Sequence, residues 1–326
     1  MTIKWGIIGT GFIAQVFTEE FDFIEQGKIT AVASRSREKA EEFAVKNNIE
    51  KSYSSYKDLA EDDELDVVYI ATPHNLHLEN TLLCLNNDKH VLCEKPIAVN
   101  EKQTRKMFAA AKEKNLFLME ALWTYFLPPI LKVKEWIAEG KIGEIRLLTA
   151  RIGINPVKDK HNRLFDPNLA GGALLDTGIY PVALTNYLLD GEPKDINVSG
   201  YIGDTGVDEH SALTIKYPED TIAQLTCSIQ ADILTEATIY GTRGQIYIPD
   251  FLRTKKAVLV KGDNKENVED KRKSKGYTYE IEAVNQDIMK NNIENNRATK
   301  QITLNNMRIL DKAREIIGLK YPFETE

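Results

Sequence analysis

The chain of 326 residues carries only three cysteines, Cys84, Cys93 and Cys227, dispersed and without a C-x-x-C spacing. An odd number in a chain of this length excludes a disulfide framework and points to reduced thiols in a cytoplasmic protein. No apolar run approaches the length of a membrane-spanning helix, so a membrane partner is not expected. The start, Met1-Thr-Ile-Lys-Trp-Gly6, lacks a signal-peptide pattern, which again predicts a cytoplasmic location. Positive charge is in deficit, with 42 Lys and Arg against 49 Asp and Glu and a formal charge of -7. General nucleic-acid binding is excluded on that ground, because phosphate contacts need a basic surface. Histidine is scarce as well, five in all. His74 and His77 lie close together, but no third ligand stands at a recognisable spacing, so no metal is expected. A place lining a cofactor cleft suits them better. There is no internal repeat.

What remains is an ordinary globular composition, 42% hydrophobic and 28% charged, at a length that suggests two domains. Ile3 to Ile8 reads as a buried strand and is followed at once by Gly9-Thr-Gly11-Phe-Ile-Ala14. This is a G-x-G-x-x-A dinucleotide fingerprint between a strand and a helix, where its chemistry requires it. Gly9 permits the tight turn, Gly11 admits the pyrophosphate, and Ala14 lets the helix pack close to the strand. The helix N-terminus offers unpaired N–H groups to the anion. A second strand, Ile29 to Ala33, ends in Ser34-Arg35-Ser36-Arg37 with Lys39 beyond. An NAD site would place Asp or Glu at that tip to bond the ribose hydroxyls. Guanidinium and hydroxyl groups hold a 2′-phosphate instead, so NADP is predicted over NAD, with Arg35 as the discriminating residue. Arg37 is expected on a solvated helix face.

Strand and helix signals keep alternating to residue 121. Asp66 to Ala71 is a strand ending in Thr72-Pro73, Leu76 to Leu85 a helix, and Val91 to Cys93 a short buried strand. Glu94-Lys95-Pro96 ends that strand. Proline disfavours the α region for Lys95, so its ammonium is expected on extended backbone at the ligand-binding edge of a parallel sheet, beside a glutamate. Asn100 caps a helix to about Lys114, and Leu116 to Glu120 is a final strand. This alternation predicts a doubly wound parallel sheet. After a connector at Trp123 to Pro129, short strand signals dominate: 145–151, 195–200, 211–217, 221–229, 236–240 and 245–248, with turns at 218–220 and 241–244. They predict a mainly antiparallel sheet. The charged stretch 261–275 reads as a solvated hairpin loop, and helices are expected near 283–291 and 304–317. One helix, from Gly171-Gly-Ala-Leu-Leu-Asp-Thr-Gly-Ile-Tyr180 to about Leu189, interrupts the strands. Asp176 and Tyr180 are four apart on it and would share one helix face as a proton-handling pair.

Gly9-Thr-Gly11-Phe-Ile-Ala14, Glu94-Lys95-Pro96 and Asp176-x-x-x-Tyr180 together resemble the Gfo/Idh/MocA oxidoreductases over nearly the whole chain. Met119-Glu-Ala-Leu-Trp-Thr124 and the 170s helix are most similar to the branch of dimeric dihydrodiol dehydrogenases and NADP-dependent D-xylose dehydrogenases. The resemblance implies an α/β fold: a Rossmann domain, residues 1–121, followed at 122–326 by a substrate-binding and dimerisation domain with an open, mainly antiparallel sheet. It implies an active site between them, with Lys95, Asp176 and Tyr180 catalytic. Cofactor contacts are then expected from Gly9, Thr10, Gly11, Phe12, Ile13, Ser34, Arg35, Lys39, Thr72, Pro73, Asn75, His77, Glu94 and Lys95. Trp123, Arg163 and Phe165 are candidate substrate contacts, and a homodimer or higher homo-oligomer is expected through the C-terminal sheet. Two departures stand out. Tyr125 occupies a position where many relatives carry arginine, which leaves the substrate open. Tyr180 replaces a common histidine, which moves the chain away from inositol-type dehydrogenases. The implied activity is hydride transfer between NADP(H) and a secondary alcohol or carbonyl of a sugar or trans-dihydrodiol-like substrate. The alternatives are a non-catalytic NADP-binding sensor and an NAD-linked inositol-type dehydrogenase.

Overall fold

The computed structural model describes residues 2–159, 162–189 and 191–324. These divide into two units, one running to Trp123 and including Lys273–Lys300, the other made of Thr124–Arg272 and the residues from Gln301 on.

The first unit begins β1 (Ile3–Ile8), α1 (Phe12–Glu19), β2 (Gly27–Ala33), α2 (Arg37–Lys46), β3 (Lys51–Tyr53) and α3 (Tyr56–Ala60). It continues β4 (Val67–Ile70), α4 (His77–Asn86), β5 (His90–Glu94), α5 (Glu101–Lys114) and β6 (Leu118–Ala121). All neighbouring strands are parallel, in the order β3-β2-β1-β4-β5-β6, which is the doubly wound arrangement predicted. Val67 to Ile70 and Val91 to Cys93 are fully buried, because helices cover both faces of such a sheet. That is why these strands read as continuous apolar runs. The helix ends follow from local chemistry. Asn100 is extended and its side-chain oxygen accepts the Gln103 N–H at 2.9 Å. Lys112 and Lys114 occupy the last turn of α5, and Asn115 closes it in the left-handed conformation at φ 55°.

The second unit opens with α6 (Pro128–Ala138), β7 (Ile145–Gly153), and a π-helical turn (Leu174–Gly178) that runs into α7 (Ile179–Leu188). Strands β8 (Asp195–Ile202), β9 (Asp208–Lys216), β10 (Ile222–Ser228) and β11 (Glu236–Gly241) follow. Then come β12 (Gly244–Pro249), β13 (Lys256–Lys261) and β14 (Asn264–Glu269). The sheet order is β14-β13-β12-β11-β7-β10-β9-β8, antiparallel except for the parallel pair β7–β10. Ala223, Leu225 and Cys227 on β10 are buried while Gln224 between them is exposed, the alternation of a sheet with one covered face. Six residues of the stretch predicted as a hairpin loop are strand β14. Charged side chains suit this edge strand, since it has no partner beyond it and must not recruit one.

The chain ends with α8 (Thr278–Met289) and α9 (Lys300–Ile317). Sequence predicts everything beyond residue 121 in one domain, whereas the structure returns residues 273–300 to the first unit. Two buried polar contacts explain the return. Glu20, 1% exposed, accepts the N–H groups of Lys275 at 2.7 Å and of Gly276 and Thr278 at 3.1 Å. These are orphan donors at and ahead of the start of α8. Asn285, on α8, accepts the indole N–H of Trp5 at 2.9 Å.

Candidate active site

The crossovers leave β1 and β4 in opposite directions, and a ligand crevice forms at such a switch point. Gly9 ends β1 at φ +110°, and a Cβ there would lie 2.6 Å from the Ala71 carbonyl oxygen at the end of β4. Gly11, the N-cap of α1, has open space where its Cβ would be, so an anion can approach the first amides of the helix. The cleft here holds about 630 Å³ and is lined by Gly9, Thr10, Gly11, Phe12, Ser34, Arg35, Lys39, Thr72 and Pro73, all on the expected list. Its wall also includes Gln15, Glu42, Phe43, Lys46 and Tyr56, which sequence reasoning missed. Lys39, Phe43 and Lys46 follow helical spacing on α2, so two of these were open to detection. Tyr56 comes from the short α3 and had no such signal. Burial pushes the Tyr56 phenol above its ordinary range, and the nearby Arg35 guanidinium partly opposes the shift. Arg37 points away, paired with Glu41 at 2.8 Å on an exposed face.

The rest of the expected cofactor set lies off this cleft wall. Ile13 is half-buried in the first turn of α1. Asn75 has a buried side-chain oxygen without a hydrogen-bond partner. His77 is fully buried, its ring nitrogens 2.9 Å from the Pro96 carbonyl and 2.8 Å from that of Thr72. It therefore ties the end of β4 to the turn after β5 and meets the cleft only through Thr72. Glu94, 6% exposed, accepts the Tyr69 hydroxyl and, at 3.1 Å, the N–H of Lys95. Its carboxylate thus points into the unit. Lys95 is half-buried and joined to Pro96 by a cis peptide bond. Behind Glu94, Glu280 on α8 is wholly buried with neither carboxyl oxygen hydrogen-bonded. Burial, reinforced by the charges of Glu94 and Glu20, holds its carboxyl well above the usual range. Trp123 is buried and stacked on Tyr277 at 4.4 Å.

In the second unit, Asp176 lies in the π-turn and Tyr180 in the first turn of α7, half-buried. The spacing rule that put them on one face assumes a uniform α-helix, which the wider turn interrupts. Arg163, half exposed, pairs with the buried Asp176 at 3.0 Å. Phe165 is 1% exposed and belongs to the core. Tyr125 is core as well: it stacks on Tyr187 at 4.6 Å, its hydroxyl donates to the Ala183 carbonyl at 3.4 Å, and it accepts from Asn306 at 3.0 Å. Among the described residues, no group of three or more His, Cys, Asp or Glu is arranged to hold a metal ion, and no helix is long and apolar enough to cross a membrane.

Comparison with known proteins agrees with this architecture. Residues 3–122 match the oxidoreductase family with an NAD-binding Rossmann fold, and residues 130–247 match the GFO/IDH/MocA C-terminal domain. A trans-1,2-dihydrobenzene-1,2-diol dehydrogenase of Danio rerio is 36% identical, with all of both chains covered. That of Homo sapiens is 38% identical over 82% of this chain and 80% of its own. Among solved structures, a 3-ketoreductase from Actinomadura kijaniata in complex with NADP and TDP-benzene is 26% identical. It superposes with a TM-score of 0.85 over 97% of this chain and 98% of its own. An aldose-aldose oxidoreductase from Caulobacter crescentus, 20% identical, shares the fold with a TM-score of 0.89 over 98% of both chains.

Proposed function

The chain belongs to the Gfo/Idh/MocA oxidoreductase family, and we propose that within it the protein is an NADP-preferring dehydrogenase or reductase. Its substrate is a secondary alcohol, or the matching ketone, in a sugar or a trans-dihydrodiol-like molecule. The main support is the cleft at the β1/β4 switch point, where Arg35 and Ser34 stand at the tip of β2 with Lys39 and Lys46 nearby. Guanidinium and ammonium groups favour a 2′-phosphate, and a carboxylate would repel it. The dihydrodiol dehydrogenase relatives and the NADP-bound ketoreductase support the substrate class.

The bound cofactor supplies the hydride acceptor or donor. The protein must then hold the nicotinamide dinucleotide by its phosphates and manage one proton. Gly9 to Phe12 and the start of α1 would hold the pyrophosphate, and Arg35 the 2′-phosphate. Tyr180 exchanges the proton of the substrate hydroxyl, and Lys95 bonds the reacting oxygen. Asp176, fixed by its pair with Arg163, orients a second substrate hydroxyl. Turnover across aldoses, dihydrodiols and dicarbonyls, run with both cofactors, tests the activity. NADPH binding without turnover on any of them would favour a sensor. Lys95→Met should abolish turnover while NADPH still binds; near wild-type turnover would refute the assignment.

Assembly through the second unit's sheet is part of the same proposal. Leu147, Thr149, Thr238, Tyr240 and Tyr247 are neighbours on its outer face and remain partly exposed. Sedimentation at micromolar concentration would show a dimer or larger oligomer; a monomer there refutes it. The three cysteines are unbridged and buried, which suits a cytoplasmic location.

A further inference from the structure

We infer that Asp208 is a positioning residue for the proton-handling segment: as a carboxylate it holds the start of the π-turn that carries Asp176 and leads into Tyr180. This rests on the catalytic reading above and extends it to a residue outside the family motifs.

Asp208 opens β9 and is completely buried. Its Oδ2 accepts the N–H of Leu174, the first residue of the π-turn, at 2.7 Å, and more weakly the Ser211 hydroxyl at 3.4 Å. Its Oδ1 is buried with no hydrogen-bond partner. That oxygen lies against Gly172, where a Cβ would come within 2.2 Å of it, and Gly172 has φ +117°. The backbone just ahead is held as well: the Gly172 N–H donates to the Leu164 carbonyl at 2.8 Å, and the Tyr321 hydroxyl donates to that of Gly171 at 2.6 Å. Asp208 thus places a buried carboxyl group at the origin of the π-turn, with one of its two oxygens unsatisfied. A neutral side chain would serve a purely structural staple at less cost, because an orphaned acceptor on a buried charge is expensive.

The titratable and charged groups that face it are Arg314 on α9, Tyr321 beyond that helix, and Cys227 on β10. Burial raises the Asp208 carboxyl to about 7, while the Leu174 N–H, its own backbone N–H, the Ser211 hydroxyl and Arg314 pull it back toward the charged form. As pH falls through that value the group takes up a proton. The bond to Leu174 then loses its charge assistance, which is roughly half its strength. Activity should therefore decline on the acid side as the π-turn loosens.

Asp208→Asn tests this, since the amide oxygen can still accept from Leu174 but cannot ionise. The expected result is unchanged NADPH affinity, because the cleft belongs to the other unit, with kcat at pH 8 reduced by roughly tenfold. The decline of kcat near pH 7 should also disappear. Unchanged kcat at pH 8, or an acid limb that persists in the variant, overturns the inference. Should Asp208→Asn fail to fold, Ser211→Ala removes a hydroxyl that favours the ionised form and should move the acid limb to higher pH; an unmoved limb overturns it equally. Tyr180→Phe in the same assay separates the two levels. If it keeps turnover, the catalytic reading fails. If it is inactive while Asp208→Asn behaves as wild type, only the positioning role fails.

Discussion

Gly9 and Gly11 sit in one turn and look alike in sequence, yet replacing each with alanine should be detected by different measurements. At Gly9, φ is +110° and the new Cβ would lie 2.6 Å from the Ala71 carbonyl oxygen and 3.0 Å from its carbon. The obstacle is backbone and cannot swing aside: the Ala71 N–H donates to the Ile8 carbonyl at 2.8 Å, locking β4 to β1. Strain at a positive φ costs about 1–3 kcal/mol, and overlap with fixed atoms about 1–3 kcal/mol more. Gly9→Ala should therefore lose about 2–6 kcal/mol without any cofactor present, a large share of a typical folding free energy. Gly11 has φ -80° and ψ -176°, open to any residue, and nothing lies within 4 Å of its would-be Cβ. Gly11→Ala should leave the free protein as stable as before, or more so by about 0.4–1 kcal/mol through the unfolded chain. The space it fills is the one proposed for the pyrophosphate, so the Kd for NADPH should rise at least about tenfold, or roughly 1.4 kcal/mol. Denaturant unfolding without cofactor and NADPH fluorescence titration read the two effects separately. Gly11→Ala binding NADPH like the wild type would refute the placement of the phosphates. An undiminished stability for Gly9→Ala would refute the steric reasoning at Ala71.

Arg35→Ala should raise the KM for NADP by roughly ten- to a hundredfold while barely changing that for NAD, the loss of a charge-assisted phosphate contact; equal effects on both cofactors would contradict it. Glu20→Ala strands the N–H groups of Lys275, Gly276 and Thr278 and should cost about 2–4 kcal/mol in denaturant unfolding. A loss well under 1 kcal/mol would show that the return of 273–300 is anchored elsewhere. Glu280 has a folded pKa above its unfolded one, so its stabilising contribution is full below the unfolded value and is lost as pH rises through the folded value. Glu280→Leu should thus gain on the wild type by about 1–3 kcal/mol at pH 8 relative to pH 4, and parallel stability curves for the two proteins would count against it.

The first unit was legible because its signals are local. Strands buried on both faces leave continuous apolar runs, Asn100 caps the helix that follows it, and the glycine turn lies between a strand and a helix. What escaped was set by distant partners. Nothing near Lys275 marks it as destined for Glu20, and nothing near Asn285 marks it for Trp5, so residues 273–300 read as part of the second domain. Similarly, Tyr56 reaches the cleft only because α3 packs beside β2, and β14 carries no apolar pattern because an exposed edge needs none. Tyr125 misled for the complementary reason. The family resemblance singles it out as a departure that leaves the substrate open, but only packing shows it stacked on Tyr187 in the core.

The π-turn is where the periodic rule itself gives out, and Pro181 is the residue that explains it. A uniform α-helix through this segment would drive the proline ring against the carbonyl of Thr177 and leave that carbonyl without its donor. Widening the preceding turn relieves both problems, as π-bulges do. Gly178 supplies the room: a Cβ there would meet the Cys227 sulfur on β10 at 3.0 Å. Asp176 consequently lies in the wide turn and Tyr180 in the regular helix after it, so their spacing of four does not set their relative direction. The wide turn is held at its start by Asp208 at the Leu174 N–H, and the backbone just ahead by Tyr321 at the Gly171 carbonyl. Both holding residues lie far along the chain from the segment they bond. A motif can therefore mark the residues proposed to handle the proton while the hydrogen bonds that hold their segment come from side chains outside it.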